Sequence, residues 1–228
     1  MKFIVFISGN GSNLQEVINF CDNSNDHKIL QVMCNHDDVP GIKRCQTHSI
    51  PYSIFEFKKS ENYKSKSKSD KQIERDLYEN NIYQKIKEIN DTVESRICIL
   101  CLGWMHIFGK NFIDNINSLQ FKKFNYQCNS ARIFNLHPSL PLDDKLIGTN
   151  AIERAWKQYC NNERVVTGIM MHKLIPEVDK GNYINLEVLN ITNCLGYSDY
   201  KIKMNIIEKK VVNEFLNTII NNITHLYK

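Results

Sequence analysis

Apolar residues recur along this chain with two periods, and the periods take turns. Residues 2–7, Lys-Phe-Ile-Val-Phe-Ile, form a continuous apolar run, the pattern of a strand buried on both faces of a parallel sheet. Residues 14–21 switch to helical spacing. A second apolar run at 29–34 precedes a short helix at 41–49 and a weaker strand at 51–57. Ile73, Leu77, Ile82, Ile86 and Ile89 recur at helical intervals through 72–89, with Asn80-Asn81 as a point of interruption. Strands are then expected at 96–102, 132–137, 165–173 and 183–191, and helices at 111–116 and 151–159. The 165–173 segment alternates as a strand with one wet face. An amphipathic helix at 197–226, with room for one break, closes the pattern.

Strand–helix alternation of this kind predicts an α/β fold. The expected architecture is a Rossmann-like, open, mostly parallel twisted sheet of about seven strands with helices on both faces. No repeat or linker divides the chain, so residues 1–228 read as one domain. Two polar stretches interrupt the rhythm. Residues 58–71 hold six lysines, four serines and two acids, cannot bury much, and are expected to be a mobile surface loop. Residues 120–130 read as a polar, aromatic spacer.

Composition narrows this only a little. With 228 residues, 42% of them hydrophobic, the chain can build one domain with a sizeable core. A net charge of +4 and a pI near 8.5 are mildly basic, and the charge is scattered, which gives no ground for a nucleic-acid partner. The eight cysteines are irregularly spaced, no leader-like segment opens the chain, and no apolar run reaches the ~18 residues of a membrane span. A cytoplasmic protein with free thiols and no membrane contact is expected. Cys98-x-x-Cys101 lies among strand hydrophobes with no second pair, so core thiols are expected there rather than a redox or zinc pair.

The candidate chemistry gathers where strands end. After the first strand, Ser8-Gly9-Asn10-Gly11-Ser12-Asn13 leads into a helix that Ser12 or Asn13 can cap, presenting its first N–H groups to an anion such as a phosphate. No Gly-Lys-Ser/Thr closes the loop, and Leu14 occupies the third glycine position of a dinucleotide fingerprint, so one terminal phosphate fits better. Gly103-Trp104-Met105-His106-Ile107-Phe108-Gly109 is an apolar, aromatic loop suited to a planar ring. Asn135 and His137 stand two apart, so both point to one face of their strand before Pro138 ends it. Leu174 to Gly181 is a loop that presents Asp179. In a parallel sheet all four would line one edge.

Three stretches resemble, in order and spacing, the motifs of the phosphoribosylglycinamide formyltransferase family. They are Ser8 to Gln15, Asn135-Leu136-His137-Pro138-Ser139-Leu140-Pro141, and Thr167-Gly168 through His172 to Glu177-Val178-Asp179-Lys180-Gly181. The Gly103-Trp104 loop and Gly148 to Trp156 resemble its yeast-like branch. The resemblance implies direct formyl transfer from 10-formyltetrahydrofolate, the co-substrate, to the amine of glycinamide ribonucleotide, without metal. It implies that Asn135, His137 and Asp179 are catalytic, with Asn135 and a protonated His137 donating to the oxyanion and Asp179 keeping the ring charged. Gly11, Ser12, Asn13 and Glu208 would hold the substrate's phosphate and ribose. Met105, His106, Ile107, Phe108, Ile175, Pro176, Glu177, Val178 and Asp179 would flank the folate, and a basic residue near Lys71 would meet its tail. No nucleic-acid or membrane partner is implied, and a monomer or weak homodimer is expected. Leu142-Asp143-Asp144-Lys145, Asn150 and Met171 depart from the family pattern, which bears on closure of the folate loop. The rival readings are another formyltetrahydrofolate-dependent enzyme, a hydrolase among them, or a noncatalytic protein that binds a phosphate ligand on the same fold.

Overall fold

In the computed structural model the described residues are 1–95, 97–119 and 133–226. The 120–130 spacer and the strand starts at Arg96 and Arg132 lie outside them. Seven strands form one sheet: β1 (Lys2–Ile7), β2 (Lys28–Cys34), β3 (Tyr52–Ile54), β4 (Ile97–Cys101), β5 (Ile133–His137), β6 (Val166–Lys173) and β7 (Tyr183–Asn190). Their spatial order is β3-β2-β1-β4-β5-β6-β7. β1 to β5 run parallel, whereas β6 is antiparallel to both β5 and β7.

Among the described residues six α-helices cover the two faces: α1 (Ser12–Asp22), α2 (Pro40–Thr47), α3 (Lys68–Thr92), α4 (Lys110–Ser118), α5 (Ala151–Cys160) and α6 (Tyr197–Leu226). β1 shows why both faces are apolar. Phe3, Val5 and Ile7 enter one core with Leu14 and Val17 of α1 and Phe215 of α6; Ile4 and Phe6 enter the other with Ile82 and Ile86 of α3 and Phe112 of α4. Each such fully buried side chain contributes about 1.5–3 kcal/mol over its exposed state.

β5 follows the same alternation. Phe134 and Leu136 join the α6 side, with the Phe134 ring 4.9 Å from that of Phe215. Ile133 joins the α3–α4 core, so Asn135 and His137 share that face.

Some expected details differ. Val166 to Lys173 has no wet face: α6 packs on it, Leu140 lies against Gly168, and residues 167–172 are all buried; the half-exposed strand is its edge neighbour β7. Neither long helix is interrupted: α3 runs through Asn80-Asn81 for 25 residues, and α6 is one helix of 30. The 58–71 segment is largely exposed, yet it has structure. It holds a 3-10 turn at Tyr63–Ser65, Ser67 Oγ caps α3 by accepting from Asp70 N–H, and Lys66 and Ser60 both bond Glu74.

Candidate active site

The loop after β1 is shaped by glycine contacts, not by side-chain capping. Gly11 caps α1 in the left-handed region at φ 68, and a Cβ there would stand 2.9 Å from Gly41 Cα. Gly41 N–H donates to Gly9 O, and Arg44 Nε donates to Asn10 O, both at 3.1 Å. Ser12 and Asn13 are therefore the first helical residues and not caps. Their side chains reach α6 instead: Asn13 Nδ2 donates to Glu208 Oε2 at 3.3 Å, and Ser12 Oγ accepts from Asn205 Nδ2 at 3.4 Å. The first turn of α1 keeps its N–H groups for an anion. Burial pushes the Glu208 carboxyl upward, against the two amides that favour its charged form.

The aromatic loop begins at Gly103, in the left-handed region at φ 80. Met105 N–H donates to Ser8 Oγ at 2.8 Å, tying it to the end of β1. Met105 and Ile107 are half exposed. The His106 ring is buried, with Nε2 2.8 Å from Glu79 Oε1, so its polar edge faces protein.

The three expected catalytic groups do meet. His137 is buried; Nε2 lies 3.0 Å from Leu146 O and 3.4 Å from Asp179 Oδ2. The carbonyl can only accept, so Nε2 carries a proton. Asn135 Nδ2 donates to Asp179 Oδ1 at 3.4 Å.

Sequence reasoning gave no role to His172. It faces Asn135 across the β5–β6 pair, with Nε2 3.2 Å from Asn135 Nδ2 and 3.6 Å from Asp179 Oδ1. Its Nδ1 donates to Lys173 O at 2.9 Å, which leaves Nε2 as the nitrogen that can accept from Asn135. Both Asn135 amide protons are thus engaged at rest. The signal for His172 was its place on an alternating strand, but its partner follows from antiparallel pairing, and the expected, mostly parallel sheet did not say which strand would run antiparallel.

That pairing also changes how Asp179 arrives. β6 leaves the sheet beside Phe134, not at the edge where the parallel strands end. The loop must fold back, and Lys173 N–H closes it on Asn182 O at 3.0 Å. Asp179 sits at φ 56, and a Cβ on Gly181 would fall 1.7 Å from Lys173 O. The other side of the carboxylate is held by Gly148 N–H, which donates to Oδ2 at 2.7 Å.

Charge states follow from these partners. The Asp179 carboxyl is held below the usual range, because the neighbouring histidines and Gly148 N–H outweigh burial. His137 is pushed down: burial outweighs the Asp179 charge that would raise it. Burial thus favours the neutral ring at rest, where a protonated acid was expected.

A cleft of about 200 Å³ joins these parts. Its lining includes Asn13 and Glu208, Met105 to Phe108 with Ile175, Pro176 and Val178, and Asn135, His137 and Asp179. Gly11 and Ser12 do not line it but carry Asn13, which does. Glu177 is exposed and outside the lining. Lys71 is also outside: its Nζ donates to Lys64 O at 3.0 Å and lies over the Tyr63 ring. The basic residue at the aromatic loop is Arg75, whose Nη2 donates to Ile107 O at 2.7 Å. Among the described residues no cluster of three or more His, Cys, Asp or Glu is placed to hold a metal, and no helix is long and apolar enough to cross a membrane.

An anion-ready helix start, an apolar slot and a His–Asp–Asn cluster in one cleft suit group transfer between two ligands. The family model described as Formyl transferase matches residues 1–216. The chain belongs to this family. Within it, the chain is 32% identical over 181 residues to the phosphoribosylglycinamide formyltransferase of Dictyostelium discoideum, covering 79% of each chain. It is 29% identical over 198 residues to the Saccharomyces cerevisiae enzyme of the same name, covering 83% of each. Among solved structures, the Coxiella burnetii phosphoribosylglycinamide formyltransferase superposes with a TM-score of 0.68 at 26% identity, over 95% of this chain and 85% of that one. The Campylobacter jejuni enzyme, at 23% identity and a TM-score of 0.71, covers 96% and 97% and shares the fold.

Proposed function

We propose that this formyl transferase moves the formyl group of 10-formyltetrahydrofolate to the primary amine of 5-phosphoribosylglycinamide, in purine biosynthesis. The observation that carries the reading is the His137–Asp179 pair, 3.4 Å apart, in one cleft with the α1 start and the aromatic slot. The substrate phosphate lies on the first turn of α1 and the ribose hydroxyls against Glu208. The folate ring lies along Met105 to Phe108 and the 175–179 segment.

The amine attacks the formyl carbon, forming a C–N bond and an oxyanion. The neutral His137 ring takes a proton from the attacking nitrogen, becoming an imidazolium that Asp179 stabilises. As the carbon–N10 bond breaks, the ring returns that proton to N10. Asn135 can donate to the oxyanion by releasing its longer bond, the 3.4 Å contact with Asp179.

The chain acts as one formyltransferase domain over 1–228, a cytoplasmic monomer or weak homodimer with no nucleic-acid or membrane partner. Cys21, Cys34, Cys45, Cys101, Cys160 and Cys194 are thiols outside any disulfide, which supports a reducing compartment. The test is an assay of the purified protein with both substrates. Formylglycinamide ribonucleotide is expected; folate hydrolysis at the same rate without the amine would favour a hydrolase and refute the reading.

A further inference from the structure

The Gly103–Gly109 loop is fastened from below by α3. Glu79 lies in the buried stripe of that helix with its side chain only 3% exposed. Its Oε1 contacts His106 Nε2 at 2.8 Å, and both carboxylate oxygens accept from Gly109 N–H, at 3.1 and 3.0 Å. Four residues earlier, one turn away, Arg75 holds the Ile107 carbonyl. The carboxylate also sits at the start of α4, where the helix dipole favours negative charge. A Cβ at Gly109 would stand 3.1 Å from Glu79 Oε2, so the carboxylate would have to give way by a few tenths of an ångström. The His106 ring is boxed by Tyr78 at 4.9 Å, Phe108 at 5.6 Å and Phe57 at 5.9 Å.

We infer that Glu79, assisted by Arg75, is a positioning residue for the folate substrate: it anchors the aromatic loop through His106 and Gly109 and so presents Met105 and Ile107 as the slot. This rests on the formyl-transfer reading. Neither Glu79 nor Arg75 lines the cleft, so their effect on the ligand passes through the loop. A pinned loop loses less freedom when the ring enters, which favours binding without altering the reacting atoms.

The experiment compares wild type, Glu79→Gln and Arg75→Met in formyl-transfer kinetics and in amide hydrogen exchange of residues 103–109. Glu79→Gln keeps the volume but places an amide donor among the donors it must accept from. Expected are a roughly tenfold rise in KM for 10-formyltetrahydrofolate in Glu79→Gln, as for loss of a hydrogen bond to a charged group, and a smaller rise in Arg75→Met. The KM for the ribonucleotide and kcat stay within about twofold, and loop amides exchange faster. An unchanged folate KM with wild-type exchange overturns the inference. So does a parallel fall in all kinetic constants and melting temperature, which a merely structural role would give. A wild type that transfers no formyl group would instead overturn the functional reading, whereas failure in the variants alone overturns only the role of Glu79.

Discussion

Replacing Asp179 by Asn tests the centre of the proposed chemistry. Asp179 Oδ2 accepts from Gly148 N–H at 2.7 Å and faces His137 Nε2 at 3.4 Å, while Oδ1 faces Asn135 and His172. In Asp179→Asn the remaining oxygen stays with Gly148, the shortest contact, and the new NH2 takes the Oδ1 position against Asn135 Nδ2. Donor meets donor, so the Asn135 amide is displaced. The larger loss is electrostatic. Full charges 3.4 Å apart attract by roughly 5 kcal/mol at an effective dielectric of about 20. Only the charge that forms on His137 during reaction counts toward the rate, and Gly148 N–H already holds the same carboxylate oxygen, so about 3–4 kcal/mol of barrier is at stake. That lowers kcat by about 10² to 10³. The measurement is the initial rate at saturating concentrations of both substrates, with a melting curve to separate chemistry from unfolding. A kcat within threefold of wild type, in a folded variant, would refute the claim that this carboxylate stabilises a transient imidazolium.

Three further outcomes follow from the same contacts. Glu208→Gln, which keeps an acceptor for Asn13, should raise KM for the ribonucleotide about tenfold through loss of the charged partner, with the folate KM unchanged; equal shifts in both would remove Glu208 from the ribose end. Gly181→Ala forces a Cβ onto Lys173 O, so it should destabilise by about 1–3 kcal/mol or more and lose activity, read by denaturant unfolding; wild-type stability would show that the 174–181 turn relaxes freely. Acid should destabilise the protein in two stages. His137 has a lowered folded-state pKa, so the unfolded chain takes up that proton first and stability starts to fall below about pH 6.5. Asp179, also lowered, contributes stability above the ordinary carboxylate range that is lost as pH falls through its folded value. His27, pushed down by burial, adds to the first stage, and Glu208, pushed up, opposes the second. His137→Gln should flatten the upper stage of a melting-temperature–pH curve, and an unchanged upper stage would count against the buried neutral ring.

Much of the fold was legible because burial on two sides leaves continuous apolar runs. β1, β2 and β4 read that way, and the alternation of β5 correctly put Asn135 and His137 on one face. Strand direction leaves no such mark: nothing in Val166 to Lys173 distinguishes antiparallel from parallel, so the partner of His172 and the return path of Asp179 stayed hidden. In loops, alternation fails. His106, expected beside the folate, belongs to the lining of the cleft but turns its Nε2 to Glu79. A signal for Glu79 did exist. It occupies the stripe of Ile82 and Ile86 at spacings of three and seven, where a lone carboxylate among apolar residues needs a buried partner. Glu177 and Lys71 were placed by neighbourhood in the sequence, and side-chain direction overruled it.

Two of the residues that depart from the family pattern, Asp143 and Asp144, are held by charge in the loop beside Asp179. Arg164 grips Asp143 through two bonds, at 2.6 and 2.9 Å, in a half-closed setting where such a fork is geometrically strong. The neighbouring Asp144 pairs with Lys180 at 3.1 Å, an exposed contact worth little by itself. Yet Lys180 follows Asp179 directly, and Gly148, at φ 82 beyond the same loop, donates to the Asp179 carboxylate. The 142–150 loop therefore grips the 174–181 loop at two successive residues, one through a backbone donor and one through a charge. A carboxylate delivered by an antiparallel strand from the wrong end of the sheet needs that second hold, because its own turn fixes only one side of it. The 142–145 segment, which departs from the family pattern, thus supplies a charged anchor to the loop that carries Asp179.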